Sequence, residues 1–82
     1  MQINVRLSSD LSRALGQPRV NVTVAESATV ADLIAALIAS HPQDEDALSR
    51  AVVMAGGRHL GPNQRLEHHR DVALLTPIAG GC

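Results

Sequence analysis

Five aliphatic side chains, Val30, Leu33, Ile34, Leu37 and Ile38, recur at i, i+3, i+4, i+7 and i+8, which draws one apolar stripe along a helix. Thr29 stands where an N-cap belongs, with Asp32 three residues on in the capping-box position, although that box prefers Glu or Gln. His41-Pro42 closes the helix, because proline disfavours helical backbone in the residue before it. Burying each such side chain is worth roughly 1.5–3 kcal/mol. This helix is therefore expected to be the main lid over whatever sheet the rest of the chain builds.

The segments before it read as strands. Ile3, Val5 and Leu7 alternate with Gln2, Asn4 and Arg6, and Val20, Val22 and Val24 alternate with Arg19, Asn21 and Thr23, the period of half-buried strands. Between them Ser8-Ser9-Asp10 offers helix caps, Leu11, Ala14 and Leu15 follow at helical spacing, and Gly16 supplies a stop. The spacing suits antiparallel pairing of the two strands. After the main helix, Gln43–Asp46 reads as an acidic loop with a short helical turn through Leu48. Ala51–Ala55 reads as a third strand, Gly56-Gly57 as a turn, Arg58–Leu60 as a short fourth strand, and Val72–Thr76 as the last. Strands gathered around one principal helix imply an α+β fold. The β-grasp arrangement accommodates this order: a mixed sheet of four to five strands, the helix packed on one face, and the last strand beside the first.

Composition removes several functions. The 82 residues make one domain and include no Phe, Tyr or Trp, so the core is aliphatic and the stacking platforms of single-strand nucleic-acid binders are absent. A formal net charge of −1 argues against nucleic acid as a partner. All seven basic residues are Arg, a usage that reflects genome composition more readily than handling by conjugating enzymes. The single cysteine, Cys82, forms no internal disulfide and no metal-site spacing, which fits a reducing compartment. No signal segment opens the chain, and no apolar run approaches the roughly 20 residues of a membrane span. A cytoplasmic protein is expected.

The chain closes on Thr76-Pro77-Ile78-Ala79-Gly80-Gly81-Cys82. Pro77 lacks an N–H and ends the strand, the side chains then shrink to nothing, and the two glycines are costly to order. Residues 1–76 are accordingly read as the domain and 77–82 as a tail suited to threading a narrow cleft. A frayed terminus is the plainer alternative.

Taken together, the strand–strand–helix opening, Thr29-Val30-Ala31-Asp32-Leu33 at the helix start, Asp71-Val72 entering the last strand, and the Pro77–Gly81 tail resemble the bacterial ubiquitin-like sulfur carriers. These include the molybdopterin synthase small subunit and the thiamin-pathway carrier. Leu15-Gly16 ending the first short helix looks more like the molybdopterin branch. The likeness covers nearly the whole chain, with the tail and Asp71-Val72 its specific part. Two departures stand out: Leu7-Ser8 and Leu74-Leu75 occupy places where the family commonly has aromatics, and Cys82 follows the second glycine, where most members end.

The resemblance implies a carrier without catalytic residues or bound cofactor. A ubiquitin-activating-like enzyme uses ATP to adenylate the Gly81 carboxylate, and a sulfide equivalent then displaces AMP to leave a thiocarboxylate. A sulfur-accepting synthase takes the sulfur for cofactor or metabolite biosynthesis. Gly80 and Gly81 are then the reacting end, and Pro77, Ile78 and Ala79 the threaded stalk. Cys82 holds Gly81 in a peptide bond. Its removal by a JAMM-type zinc metalloprotease, direct use of its thiol, and an unprocessed remnant are the three readings. Two further functions stay open: a ubiquitin-like modifier conjugated through Gly81, and a non-covalent β-grasp interaction module.

Leu60, Leu66 and Leu75 are expected to contribute to an exposed patch that docks on the adenylating enzyme, where related carriers place aromatics. His59, His68 and His69 lack the spacing of a tetrahedral metal set and read as loop residues. Asp10 and Arg13, at i, i+3, suggest a surface ion pair of little energetic weight.

Overall fold

In the computed structural model, which describes residues 1–67 and 69–76, the first alternating segment is β1 (Gln2–Leu7). Its core-facing side chains Ile3 and Val5 are fully buried while Gln2, Asn4 and Arg6 are exposed. Helix α1 (Ser9–Leu15) follows and stops at Gly16, whose φ of 79° closes an αL cap on the Ser12 carbonyl. Strand β2 (Arg19–Thr23) returns antiparallel to β1. Its ladder begins with the Leu7 N–H donating to the Pro18 carbonyl at 2.9 Å; Pro18 has no N–H to return, so regular pairing starts one residue later.

Helix α2 (Val30–Ser40) carries the reciprocal capping box. The Thr29 N–H donates to Asp32 Oδ2 at 3.0 Å and the Asp32 N–H donates to Thr29 Oγ1 at 3.4 Å. The Val30 N–H donates to the Gln64 carbonyl and the Ala31 N–H to the Pro62 carbonyl, so the orphan donors of the first turn are all used. A 3₁₀ turn (Pro42–Asp44) and α3 (Glu45–Ser49) follow. Leu48 of α3 is fully buried, so the acidic stretch is helical for longer than its sequence suggests.

The chain then forms β3 (Val52–Ala55), β4 (Arg58–Leu60) and β5 (Asp71–Leu75). Gly56 and Gly57, with φ of 58° and 78°, make the two-residue β3–β4 connection, which needs positive φ at both positions. The five strands lie in the order β2-β1-β5-β3-β4. β5 is parallel to β1 and antiparallel to β3. This is the β-grasp arrangement anticipated from the order of elements.

The register stacks the core in rows. Val20, Val5 and Val72 align across β2, β1 and β5, and Leu74, Val53 and Leu60 align across β5, β3 and β4. Val30, Leu33 and Leu37 of α2 are buried against this face, with Ile34 and Ile38 half-buried beside them. Val20, Val22 and Val24 pack on the core but stay half-buried, because β2 is an edge strand with a neighbour on one side only.

Candidate functional site

A chain end that must reach a partner needs a fixed base, and β5 supplies it. This strand is flanked by β1 and β3 on both sides, so its path is set by two ladders. Because β5 and β1 are parallel, both end at the same edge of the sheet, where β1 turns into α1. There the Ser8 N–H donates to the Leu74 carbonyl at 2.9 Å, and Thr76 Oγ1 lies 3.4 Å from Asp10 Oδ2. Asp10 thus meets the base of the tail, and no Asp10–Arg13 ion pair forms among the described residues. Pro77, Ile78, Ala79, Gly80, Gly81 and Cys82, like His68, lie outside the described residues.

The surface leading to that base lies on the sheet face away from α2. On β5 the core-facing Val72 and Leu74 alternate with Ala73 and Leu75, and Leu75 is 40% exposed. Register places Val52 beside Leu75 and Met54 beside Ala73, and these three neighbours are half-buried. The result is a four-residue apolar strip ending one residue before Thr76.

Two of the three leucines expected in a docking patch are elsewhere. Leu60 is only 7% exposed and Leu66 is fully buried. Leu60 sits opposite Val53 on the core side of the β3–β4 hairpin. Leu66 is drawn in by its N–H bond to the Ala28 carbonyl and by the neighbouring Thr29–Arg65 bridge. Of the three leucines only Leu75 is exposed, and its outward-facing apolar neighbours are Val52, Met54 and Ala73. Sequence reading missed Val52 and Met54 because Ala51–Ala55 is apolar throughout, and Ala73 because Val72–Leu75 is too, so no alternation reveals which side chains face outward. Only pairing with β5 separates Val52 and Met54 from Val53 and Ala55.

Two depressions lie on opposite sides of the sheet. One, of about 380 Å³, is lined by Asn4, Arg6, Arg19, Asn21 and Asp71 on β1, β2 and β5, and within it Asn4 Nδ2 donates to Asp71 Oδ1 at 3.1 Å. The other, of about 420 Å³, is an apolar groove between α2 and the β3–β4 hairpin, with Ile34, Ile38, Ala51 and His59 among its walls. Among the described residues no three His, Cys, Asp or Glu side chains are placed to hold a metal ion, and no helix is long and apolar enough to cross a membrane.

The ThiS family model matches residues 5–81, nearly the whole chain. The chain belongs to the ThiS family. The matched span takes in β1 from Val5 onward, the other four strands and Gly80-Gly81, and leaves residues 1–4 and Cys82 outside it. Solved structures agree on the fold. SAMP1 from Haloferax volcanii superposes with a TM-score of 0.83 at 26% identity, covering 99% of this chain and 100% of that one. A second crystal structure, of the H. volcanii small archaeal modifier protein 1, gives 0.81 at 25% identity over 94% and 98% of the two chains. A Pyrococcus furiosus structure described as molybdopterin converting factor subunit 1 gives 0.81 over 95% and 99%; at 17% identity it supports the fold alone. No curated protein is significantly similar to the chain in sequence. This ThiS-family chain is thus a ubiquitin-like protein of the sulfur-carrier kind. Its family implies an adenylating enzyme and a sulfur-accepting synthase as partners.

Proposed function

We propose that the chain carries sulfur as a thiocarboxylate on Gly81, formed after Cys82 is removed. The observation that supports this most is the family match running through Gly81 and stopping there, on a domain whose central strand delivers the tail from a clamped base. A carboxylate is a poor electrophile. The partner enzyme therefore joins it to AMP, releasing pyrophosphate from ATP, and a sulfide equivalent displaces AMP at the same carbon. Glycine suits that carbon because no Cβ crowds the attack. Gly80 and Gly81 react, while Pro77, Ile78 and Ala79 thread the partner's channel. The carrier contributes position and supplies no catalytic group. The strip of Val52, Met54, Ala73 and Leu75 docks on the adenylating enzyme, since whatever receives the tail must pass over Leu75. A JAMM-type metalloprotease is the proposed processing partner, and the cytoplasm the proposed location.

The likeness to SAMP1 and to small archaeal modifier protein 1 favours a second reading, conjugation of Gly81 to other proteins. Both readings use adenylation and diverge afterwards. The test incubates the 82-residue chain and a chain ending at Gly81 with the adenylating enzyme, ATP and a sulfur source, and reads intact masses. Only the shorter chain should gain the mass of one oxygen-to-sulfur exchange, and Gly81→Ala in it should slow the gain. Equal loading of the full-length chain with Cys82 retained would overturn the processing step and turn attention to its thiol. Higher-mass adducts on added lysine proteins, with no stable sulfur gain, would establish the modifier in place of the carrier.

A further inference from the structure

One row of the outward sheet face crosses all five strands in register: Arg19, Arg6, Ala73, Met54 and His59. Its apolar middle belongs to the docking strip, and its β2–β1 end is a pair of arginines. The Leu7 N–H bond to the Pro18 carbonyl and the mutual Met1–Val24 bonds fix the alternation of the β1–β2 ladder. Arg6 and Arg19 therefore form a non-hydrogen-bonded pair, the narrow kind, with Cα atoms about 4.5 Å apart. Like charges directly opposite on a sheet destabilise it. Asp71, which lines the same depression, sets one negative charge against the two positive ones. Among the described residues neither arginine lies within ion-pair distance of a carboxylate, and Asp71, one row away, accepts from Asn4. Two exposed arginines thus line one depression on a chain whose net charge is −1.

We infer that the Arg6–Arg19 pair receives an acidic side chain of the adenylating enzyme, fixing the carrier's orientation on that partner. This rests on the docking reading above and names the chemistry of its polar half. A guanidinium matches a carboxylate with two parallel N–H···O bonds, and each of the two arginines offers such a fork. The apolar strip, two residues on each of β5 and β3, does not by itself fix which way the carrier lies. The depression does, because its positive row is the one nearer the end of β5 from which the tail leaves, and the Asn4–Asp71 row lies farther back. A carboxylate over Arg6 and Arg19 consequently sets the tail toward the partner's cleft. Rim charges of this kind act mainly on association rate and its salt dependence.

Two single variants of the full chain separate the roles, measured by surface plasmon resonance on the adenylating enzyme across a range of ionic strength. Arg6→Glu turns the repelling pair into an attracting one. Its thermal midpoint should rise or hold, while association at low salt slows roughly tenfold and loses much of its salt dependence. Met54→Asp disrupts the apolar strip and should act chiefly on dissociation. Loss of binding in Met54→Asp with unchanged rates in Arg6→Glu overturns the arginine inference and leaves the docking face standing. Wild-type affinity in both variants overturns the docking face and the inference with it. Slower association in Arg6→Glu that a Glu→Arg or Asp→Arg reversal on the enzyme restores supports the inference. If Arg19→Glu behaves unlike Arg6→Glu in association rate, the two arginines do not act as one site and the inference fails.

Discussion

The two faces of the sheet are built from the same strands and the same alternation, yet they differ in kind. Toward α2, Ile3, Val5, Val53, Val72 and Leu74 form one closed aliphatic layer, each no more than 2% exposed. Away from α2, the strands present arginines and asparagines on β2 and β1 with Asp71 at the start of β5, and Val52, Met54, Ala73 and Leu75 along β3 and the rest of β5. One face is uniform because the helix must seal it. The other is split because strands distant in sequence lie side by side there, joining a charged half to an apolar half. On the proposed function stability belongs to the first face and recognition to the second, so substitutions on the two should separate cleanly.

The largest loss of stability is expected at Leu37→Ala. Leu37 is 2% exposed in the middle of the α2 stripe, and its truncation removes transfer free energy and leaves a cavity, together about 2–5 kcal/mol. That is a large share of the roughly 5–15 kcal/mol available to a domain. A denaturation midpoint unmoved by this change would show that α2 does not seal the sheet.

Gly57→Ala comes next. A Cβ at this position meets nothing within 4 Å, yet the residue sits at φ +78°. The cost is then that of left-handed backbone alone, about 1–2 kcal/mol, and Gly57→Asn should recover part of it. Equal losses for both substitutions, measured by chemical denaturation, would point to a clash and contradict the open surroundings of the turn.

Thr29→Ala is expected to cost about 1 kcal/mol through loss of the cap. The Val30 and Ala31 donors keep their partners in the 62–64 segment, so the helix start should fray by little more than the Asp32 N–H. A loss comparable with that of Leu37→Ala would mean that Thr29 also holds the Arg65 bridge closed.

What could be read without coordinates follows from how local the cause is. The α2 stripe, its Thr29–Asp32 box and the Gly16 stop depend on residues within a few positions, and all are present as expected. Strand order was accessible because only a few arrangements place two strands, one long helix and three short strands around one core. Leu60 and Leu66 were misplaced because their burial depends on distant partners. Leu60 needs Val53 opposite it, and Leu66 needs the Ala28 carbonyl, 38 residues earlier in the chain (66 − 28). The apolar strip was hidden for the same reason: Val52 and Met54 join Leu75 and Ala73 only across the β3–β5 ladder. The pairing of Arg6 with Arg19 was implicit once β1 and β2 were taken as antiparallel, but its alternation phase rests on where Pro18 interrupts the ladder.

Leu75→Ser should have the smallest effect on stability and the clearest effect on function. Leu75 is 40% exposed at the end of β5. Its backbone is held by Val52 pairing on one side, and the adjoining Leu74 carbonyl accepts from the Ser8 N–H on the other. Serine keeps the backbone bonds and gives up only a partly buried side chain, so the change should stay within about 0.5–1 kcal/mol. The same side chain is the last apolar contact before Thr76, where the proposed partner must close around the emerging chain. Truncating an interface anchor of this kind costs about 1–2 kcal/mol of binding or more. The apparent KM for the carrier in adenylate formation should therefore rise about tenfold, with turnover at saturation little changed. Pyrophosphate release at varied carrier concentration measures this, on a chain ending at Gly81 so that Cys82 does not intervene. A fall in turnover at constant KM would place Leu75 in positioning the tail after docking. An unchanged KM beside a large loss of stability would reverse the assignment of the two faces at this strand.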